Sequence, residues 1–300
     1  MKIAVIGLGD IAKKAYLPVL AAAENLEVHL YTRNSHTLKH LSEKYRFHHI
    51  HQSLSSVVEA GVKAAFVHSA TTSHPEIIRE LLTHQIPVYV DKPLADHYEV
   101  AKELTELAKE KETLLMTGFN RRFAPLYQAV KQEPNCNMII MQKNRHKELS
   151  TPREFIYDDF IHVVDTIRYL LAEPIKKLSV YPTWQGKLLE SITVQFSGEN
   201  KVTTAIMNRN SGVLEENLAV MTNEAKFEVK NMTDLIIYTK TVQTQKRFGD
   251  WENTLYKRGF ETIIQQFLSA VKNEAEEPIT KDDALETHKV CEQILKQLDA

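Results

Sequence analysis

The chain is poor in cysteine and glycine, has no charge excess, and contains no long apolar run. Its two cysteines, Cys136 and Cys291, make no metal-type or redox-type spacing, which excludes a disulfide framework and suits a reducing, cytoplasmic setting. Thirty-seven basic residues against 39 acidic ones give a net charge of −2. No basic arm or patch is present, so nucleic acid is not an expected partner. Nothing approaches the roughly 20 apolar residues of a membrane span. The opening MKIAVIGLGDIAKK imitates a signal peptide only until Asp10, Lys13 and Lys14 interrupt it. Repeats and low-complexity segments are also absent. What remains, 300 residues with 43% hydrophobic and 25% charged, describes a soluble globular protein with room for two domains.

The first 120 residues alternate short apolar runs with helical patterns. Strands are expected at Lys2–Ile6, Glu27–Tyr31, Ala64–His68, Val88–Val90 and Leu114–Thr117, with a weaker one near Phe47–Ile50. Between them, Asp96–Lys111 is the clearest helix. This rhythm predicts a doubly wound parallel sheet of the Rossmann type, in an α/β domain spanning 1–120. Beyond Gly118 the pattern changes to a strong helix at Asp158–Leu171, then six short strands joined by polar turns, then helices at Asn253–Asn273 and Lys281–Leu298. Residues 121–300 are thus expected to form an α+β substrate-binding and oligomerisation domain with a mostly antiparallel open sheet.

Two of the nine glycines, Gly7 and Gly9, stand directly after the first strand, in Gly-Leu-Gly-Asp-Ile-Ala. Gly7 permits the tight turn and Gly9 the close approach of backbone N–H groups, including those of Asp10 and Ile11, to a pyrophosphate at a helix start. Ala12 takes the third glycine's place. An NAD-binding chain usually ends its second strand on an acid for the ribose hydroxyl; here the residues are Thr32, Arg33 and Asn34. These suit a 2′-phosphate, so NADP is expected in preference to NAD. An ordinary surface turn would also fit the arginine.

In YVDKPLADHY, residues 89–98, an apolar strand ends on Asp91-Lys92-Pro93. A lysine there would stand at the carboxyl rim of the sheet, where ligands of α/β proteins bind. In DDFIHVVDTIRYLL, a 100° step puts Asp158, His162, Asp165 and Tyr169 on one stripe, with Phe160, Val163, Val164, Ile167 and Leu170 opposite. The stripe carries no Lys or Glu, the common filler of exposed faces. A solvated face and an acid beside a reactive imidazole both fit it.

Taken in order, Gly-x-Gly-x-x-Ala, Asp-Lys-Pro, GFNRRF at 118–123 and Asp-x-x-x-His at 158–162 resemble the Gfo/Idh/MocA family of NAD(P)-dependent oxidoreductases. DWENTLYKRGFE at 250–261 and DDALETHKV at 282–290 look like its MviM-like branch. The resemblance implies a catalytic Lys92 beside the nicotinamide and a cis Lys92–Pro93 bond. It also implies that His162 is the acid/base, with Asp158 as its partner, and that Asn120, Lys92 and His162 meet the substrate. Asp91 is shorter than the family's glutamate. SATTSH at 69–74 replaces the commoner Thr-Pro-Asn-x-x-His, leaving Ser69, Thr71 and His74 as the loop's cofactor contacts.

Three functions remain in view. The first is a dehydrogenase or reductase acting on a sugar- or cyclitol-like hydroxyl or carbonyl, the second a silent NAD(P)-binding regulator, and the third an NAD-dependent glycosidase. His146 and Lys147 are further substrate candidates. The stretch FHHIHQS at 47–53 invites a zinc reading, but has no neighbouring cysteine or paired acid, so no metal is expected. An open sheet with one uncovered face predicts a homo-oligomer, a dimer or tetramer.

Overall fold

A computed structural model describes residues 1–299. Six parallel strands, β1 (Lys2–Ile6), β2 (Glu27–Tyr31), β3 (His49–His51), β4 (Ala64–Val67), β5 (Val88–Val90) and β6 (Leu115–Thr117), form one sheet in the order β3-β2-β1-β4-β5-β6. The chain order reverses between β1 and β4, which is the switch point of a Rossmann fold. β4 and β5 are buried at every residue, as expected for strands covered by helices on both faces. The expected strands agree within two residues because such runs leave little choice of register.

The first helix is interrupted. Ala12–Tyr16 is a π-helical turn, followed by the α-helix Leu17–Ala22 with Pro18 in its first turn. A proline lacks the N–H and crowds the carbonyl four residues earlier, and the wider turn relieves both problems.

The second sheet has eight strands: β7 (Met138–Asn144), β8 (Lys177–Gln185), β9 (Leu188–Ser197), β10 (Val202–Asn208), β11 (Glu215–Met221), β12 (Lys226–Lys230), β13 (Asp234–Tyr238) and β14 (Gln243–Arg247). Their order is β14-β13-β12-β11-β7-β10-β9-β8, and only β7 and β10 pair in parallel. Six of these strands match expectation. β7 and β14 are additions: β14 is fully exposed, polar at every residue, and carries no burial pattern to read.

Two compact units result. Residues Met1–Gly118 pack with Phe260–Glu286, and Phe119–Gly259 with the tail from Thr287 onward. Residues 260–286, which the sequence pattern groups with 121–300, therefore pack in the first unit. There Phe267 meets Phe66 and Tyr89 edge-on, at ring centroid distances of 5.1 and 5.5 Å. The expected helix over 253–273 is split into Thr254–Lys257 and Phe260–Val271. The break is at Gly259, which has φ +78°; a Cβ there would come within 2.3 Å of the Asn120 carbonyl. No described helix is long and apolar enough to cross a membrane.

Candidate active site

At the carboxyl ends of β1, β2 and β4 lies a cavity of about 340 Å³, lined among others by Gly7, Gly9, Thr32, Arg33, His68 and Ser69. Gly7 has φ +86°, and a Cβ on it would come within 2.4 Å of the Ser69 backbone nitrogen. Only glycine fits there. A Cβ on Gly9 would meet nothing nearer than 3.9 Å, so it would project into the open space that a pyrophosphate needs. The cradle therefore fits a dinucleotide.

His68, unremarked in the sequence beyond its place at a strand end, forms part of the wall. Its ring packs on Tyr16 with centroids 3.8 Å apart, and neither ring nitrogen has a hydrogen-bond partner among the described residues. Burial holds the imidazole down at about 3, so it is neutral at ordinary pH. Buried polar atoms without partners are uncommon, and here they belong to a residue of the cavity wall. Glu76, also unforeseen, is a residue of the same wall.

The other expected cofactor residues fall in different places. Asp10 is exposed and accepts from Lys14 Nζ at 2.6 Å, and Ile11 is half-buried in the first helical turn. Asn34 caps the helix Ser35–Tyr45, its Oδ1 accepting from the Thr37 N–H at 2.9 Å. Thr71 opens a short 3₁₀ turn that leads into His74. His74 is buried, with Nδ1 2.9 Å from the Pro93 carbonyl and Nε2 3.0 Å from the Ser69 carbonyl. Burial pushes this imidazole down, while the two carbonyls and Asp91 favour its charged form. His74 thus ties the Ser69 loop to the Lys92–Pro93 turn.

The Lys92–Pro93 bond is cis, as the family resemblance implies. Lys92 itself is half-buried at the end of β5. Beside it, Asp91 accepts from the Tyr16 hydroxyl at 3.2 Å, and Tyr16 is 2.9 Å from the Tyr89 hydroxyl. Because a carboxylate can only accept, the chain of donors runs from Tyr89 to Tyr16 to Asp91. Desolvation raises the Asp91 carboxyl, and the Lys92 charge partly offsets this. A buried phenol therefore meets the shortened acid. Tyr16 could not be singled out from sequence, since it reads as one apolar residue of a helix.

In the second unit, Phe155–Phe160 is a π-helical turn and the α-helix begins at Ile161. The even 100° step holds only from there. Asp158 is exposed, whereas His162 is buried at 9% exposure and Asp165 at 1%. At His162 and Asp165 the stripe is not a solvated face: Asp165 takes two hydrogen bonds from Arg122 and one from Thr287. The signature segments are held together here. Asn120 Nδ2 donates to the Arg258 carbonyl at 2.8 Å, and Arg121 makes a bidentate pair with Glu216. Thr287 accepts from Arg168 at 2.7 Å. His146, whose Nδ1 lies 3.0 Å from the Ser211 carbonyl, is exposed, as is Lys147.

A buried ionic cluster went unread in the sequence. Lys143, on β7, and Arg145 converge on Asp159, next to the expected Asp158. Burial pushes the Lys143 amine down to about 7, and the two cations hold the Asp159 carboxyl well below its usual range. Lys143 follows Met141 and Gln142 in ordinary alternation, so its chemistry shows only once Asp159 is placed beside it.

Residues 1–119 match the family described as "Oxidoreductase family, NAD-binding Rossmann fold", and residues 125–240 match "YceM-like, C-terminal domain". An oxidoreductase structure from Vibrio cholerae is 30% identical, covers 100% of both chains and superposes with a TM-score of 0.93. The MviM dehydrogenase structure from Clostridium difficile is 32% identical, covers 99% of each chain and also has a TM-score of 0.93. Myo-inositol 2-dehydrogenase of Thermotoga maritima is 23% identical over 91% of this chain and 88% of its own.

Proposed function

The chain belongs to the Gfo/Idh/MocA family of oxidoreductases, and from that premise we propose that it interconverts a secondary hydroxyl and a carbonyl on a sugar- or cyclitol-like molecule. The first unit is an NAD(P)-binding Rossmann domain. The carrying observation is that a glycine-lined cavity at the carboxyl ends of the first sheet and the three residues that match the family's motifs, Lys92, Asp158 and His162, occur in one chain.

In this reading the backbone at Gly7 and Gly9 receives the pyrophosphate, while Thr32 and Arg33 receive a 2′-phosphate. When bound, the nicotinamide supplies the carbon that accepts or donates hydride. His162 exchanges the proton of the reacting hydroxyl. The Lys92 ammonium stabilises the alkoxide charge that develops as the proton leaves. Asp158 orients His162. Asn120 belongs to this reading as a substrate contact through its carboxamide. The Thermotoga relative's name supports the cyclitol class.

The test is a screen of purified protein with NADP⁺ or NADPH against sugars, inositols and their keto forms, followed by nicotinamide absorbance. Turnover on at least one polyol or its ketone is expected. Turnover of a glycoside with no net change in nicotinamide redox state would reject the reading in favour of hydrolysis.

A further inference from the structure

On the flank of the first sheet, β2 and β3 run parallel with His29 opposite His49. This register places Glu27 and His29 beside His49 and His51. The segment around His49 has no acid next to it in the chain, but the neighbouring strand supplies one. The imidazoles of His29 and His49 stack 4.6 Å apart at 13°, and His29 is 3% exposed.

The hydrogen bonds of this group can be followed from one end. Ser56 Oγ lies 2.8 Å from the Ser53 carbonyl, which only accepts, so the hydroxyl donates there. His51 Nδ1, 3.2 Å from Ser56 Oγ, must then be the donor to it. A neutral His51 accepts at Nε2, so His29 Nδ1, 2.8 Å away, donates. The other ring nitrogen of His29, Nε2, faces Glu27 Oε1 at 2.9 Å. A proton or a metal ion between these two atoms satisfies both of them. His49 Nε2 lies 3.6 Å from the same carboxylate oxygen, and these three donor atoms all lie within 4.8 Å of one another.

We propose that Glu27 Oε1, His29 Nε2 and His49 Nε2 bind a divalent transition-metal ion of the zinc class, with solvent completing the shell. Tetrahedral zinc with bonds of roughly 2.0–2.1 Å separates its ligands by about 3.4 Å, between the two measured spacings, and the exposed His49 ring turns out of its stack on His29 so that both lone pairs reach one ion. Two imidazoles and a carboxylate are ligands suited to such ions. His51 and Ser56 form the outer shell that fixes the His29 tautomer with Nε2 free to ligate. Lys2 Nζ, 3.8 Å from Glu27 Oε1, is the competing cation. The site lies toward the amino ends of the strands, away from the cofactor cradle, so its role is to clamp the edge strand β3 to β2.

The test uses metal-free full-length protein titrated with Zn²⁺ by calorimetry near neutral pH, with Co²⁺ absorbance reporting the coordination. One equivalent per chain is expected. His49→Ala and Glu27→Gln should each weaken binding at least about tenfold, while His36→Ala, an exposed control, should not. Zn²⁺ should raise Tm in the wild type and not in the two site variants. His49 is exposed, so loss of fold is not expected from its replacement, and circular dichroism verifies this. Binding that is absent, or equal in wild type and His49→Ala, overturns the proposal and assigns the place to a proton.

Discussion

Arg122 and Asp165 meet fork to fork, Nε to Oδ2 at 2.9 Å and Nη2 to Oδ1 at 2.6 Å, with both side chains buried. The pair joins GFNRRF to the helix that carries His162, and Thr287 adds a third bond to the same carboxylate. Removing one charge from a buried pair strands the other, at about 3–5 kcal/mol. Asp165→Asn should lower the unfolding free energy by roughly that amount in urea titrations. Thr287→Val, which leaves the charges paired, should lower it by about 1 kcal/mol. Equal losses would show that the ion pair is not the main tie.

Stability should fall in acid because of His68. Its folded pKa, about 3, lies below the ordinary 6.5, so between those values the unfolded chain binds a proton that the folded chain refuses. The stabilising contribution is full above pH 6.5 and is lost as pH falls toward 3. One such group contributes a slope of about 1.4 kcal/mol per pH unit. His68→Phe should flatten the stability profile between pH 6.5 and about 5, above the range where most carboxylates titrate. Parallel profiles would mean that the folded ring takes up a proton.

His162→Ala should lower kcat by roughly 10²–10⁴-fold with cofactor affinity nearly intact. Lys92→Ala should reduce turnover and also weaken nicotinamide placement, seen as a higher KM for the cofactor. A near-wild-type rate in the His162 variant would contradict its proposed role.

Cofactor choice should follow the end of β2. Charge-assisted bonds from Arg33 contribute on the order of 1.5–3 kcal/mol each, so calorimetry should find NADPH bound roughly tenfold to a hundredfold more tightly than NADH. Thr32→Asp should reverse that order. Glu76→Gln should strengthen NADPH binding, because an acidic residue of the cavity wall opposes a phosphate. Equal affinities in the wild type would remove the NADP preference.

The second sheet leaves Ile140 and Ile206 half-exposed on its outer side, among Thr204, Ala219 and Gln142. Light scattering at micromolar concentration should give a dimer or tetramer, and Ile140→Glu with Ile206→Glu should dissociate it. A wild-type monomer would end this expectation.

Much of the first unit is legible in the sequence because β1, β4 and β5 are continuous apolar runs between turn signals, and Gly7 and Gly9 are strong local constraints. The limits are physical. Asn34 is equally suited to a phosphate contact and to a helix cap, and local geometry chose the cap. The π turn at Phe155–Phe160 shifts Asp158 and Asp159 relative to any 100° projection, so the projection picks out the exposed Asp158 and passes over the buried Asp159. Glu27 and His49 are separated by most of a βαβ unit, and only the strand register makes them neighbours.

The return of residues 260–286 to the first unit bears on how the chain is made. Phe267 packs edge-on against the touching pair Phe66 and Tyr89, yet it leaves the ribosome long after both. The amino-terminal sheet must therefore wait, with an apolar seat open, until nearly the whole chain has been synthesised. Amino-terminal folding during translation is the usual order, but here it cannot run to completion. A nascent chain stalled at Arg258 would present that seat to chaperones, and a peptide spanning 260–286 supplied in trans is the piece that would close it.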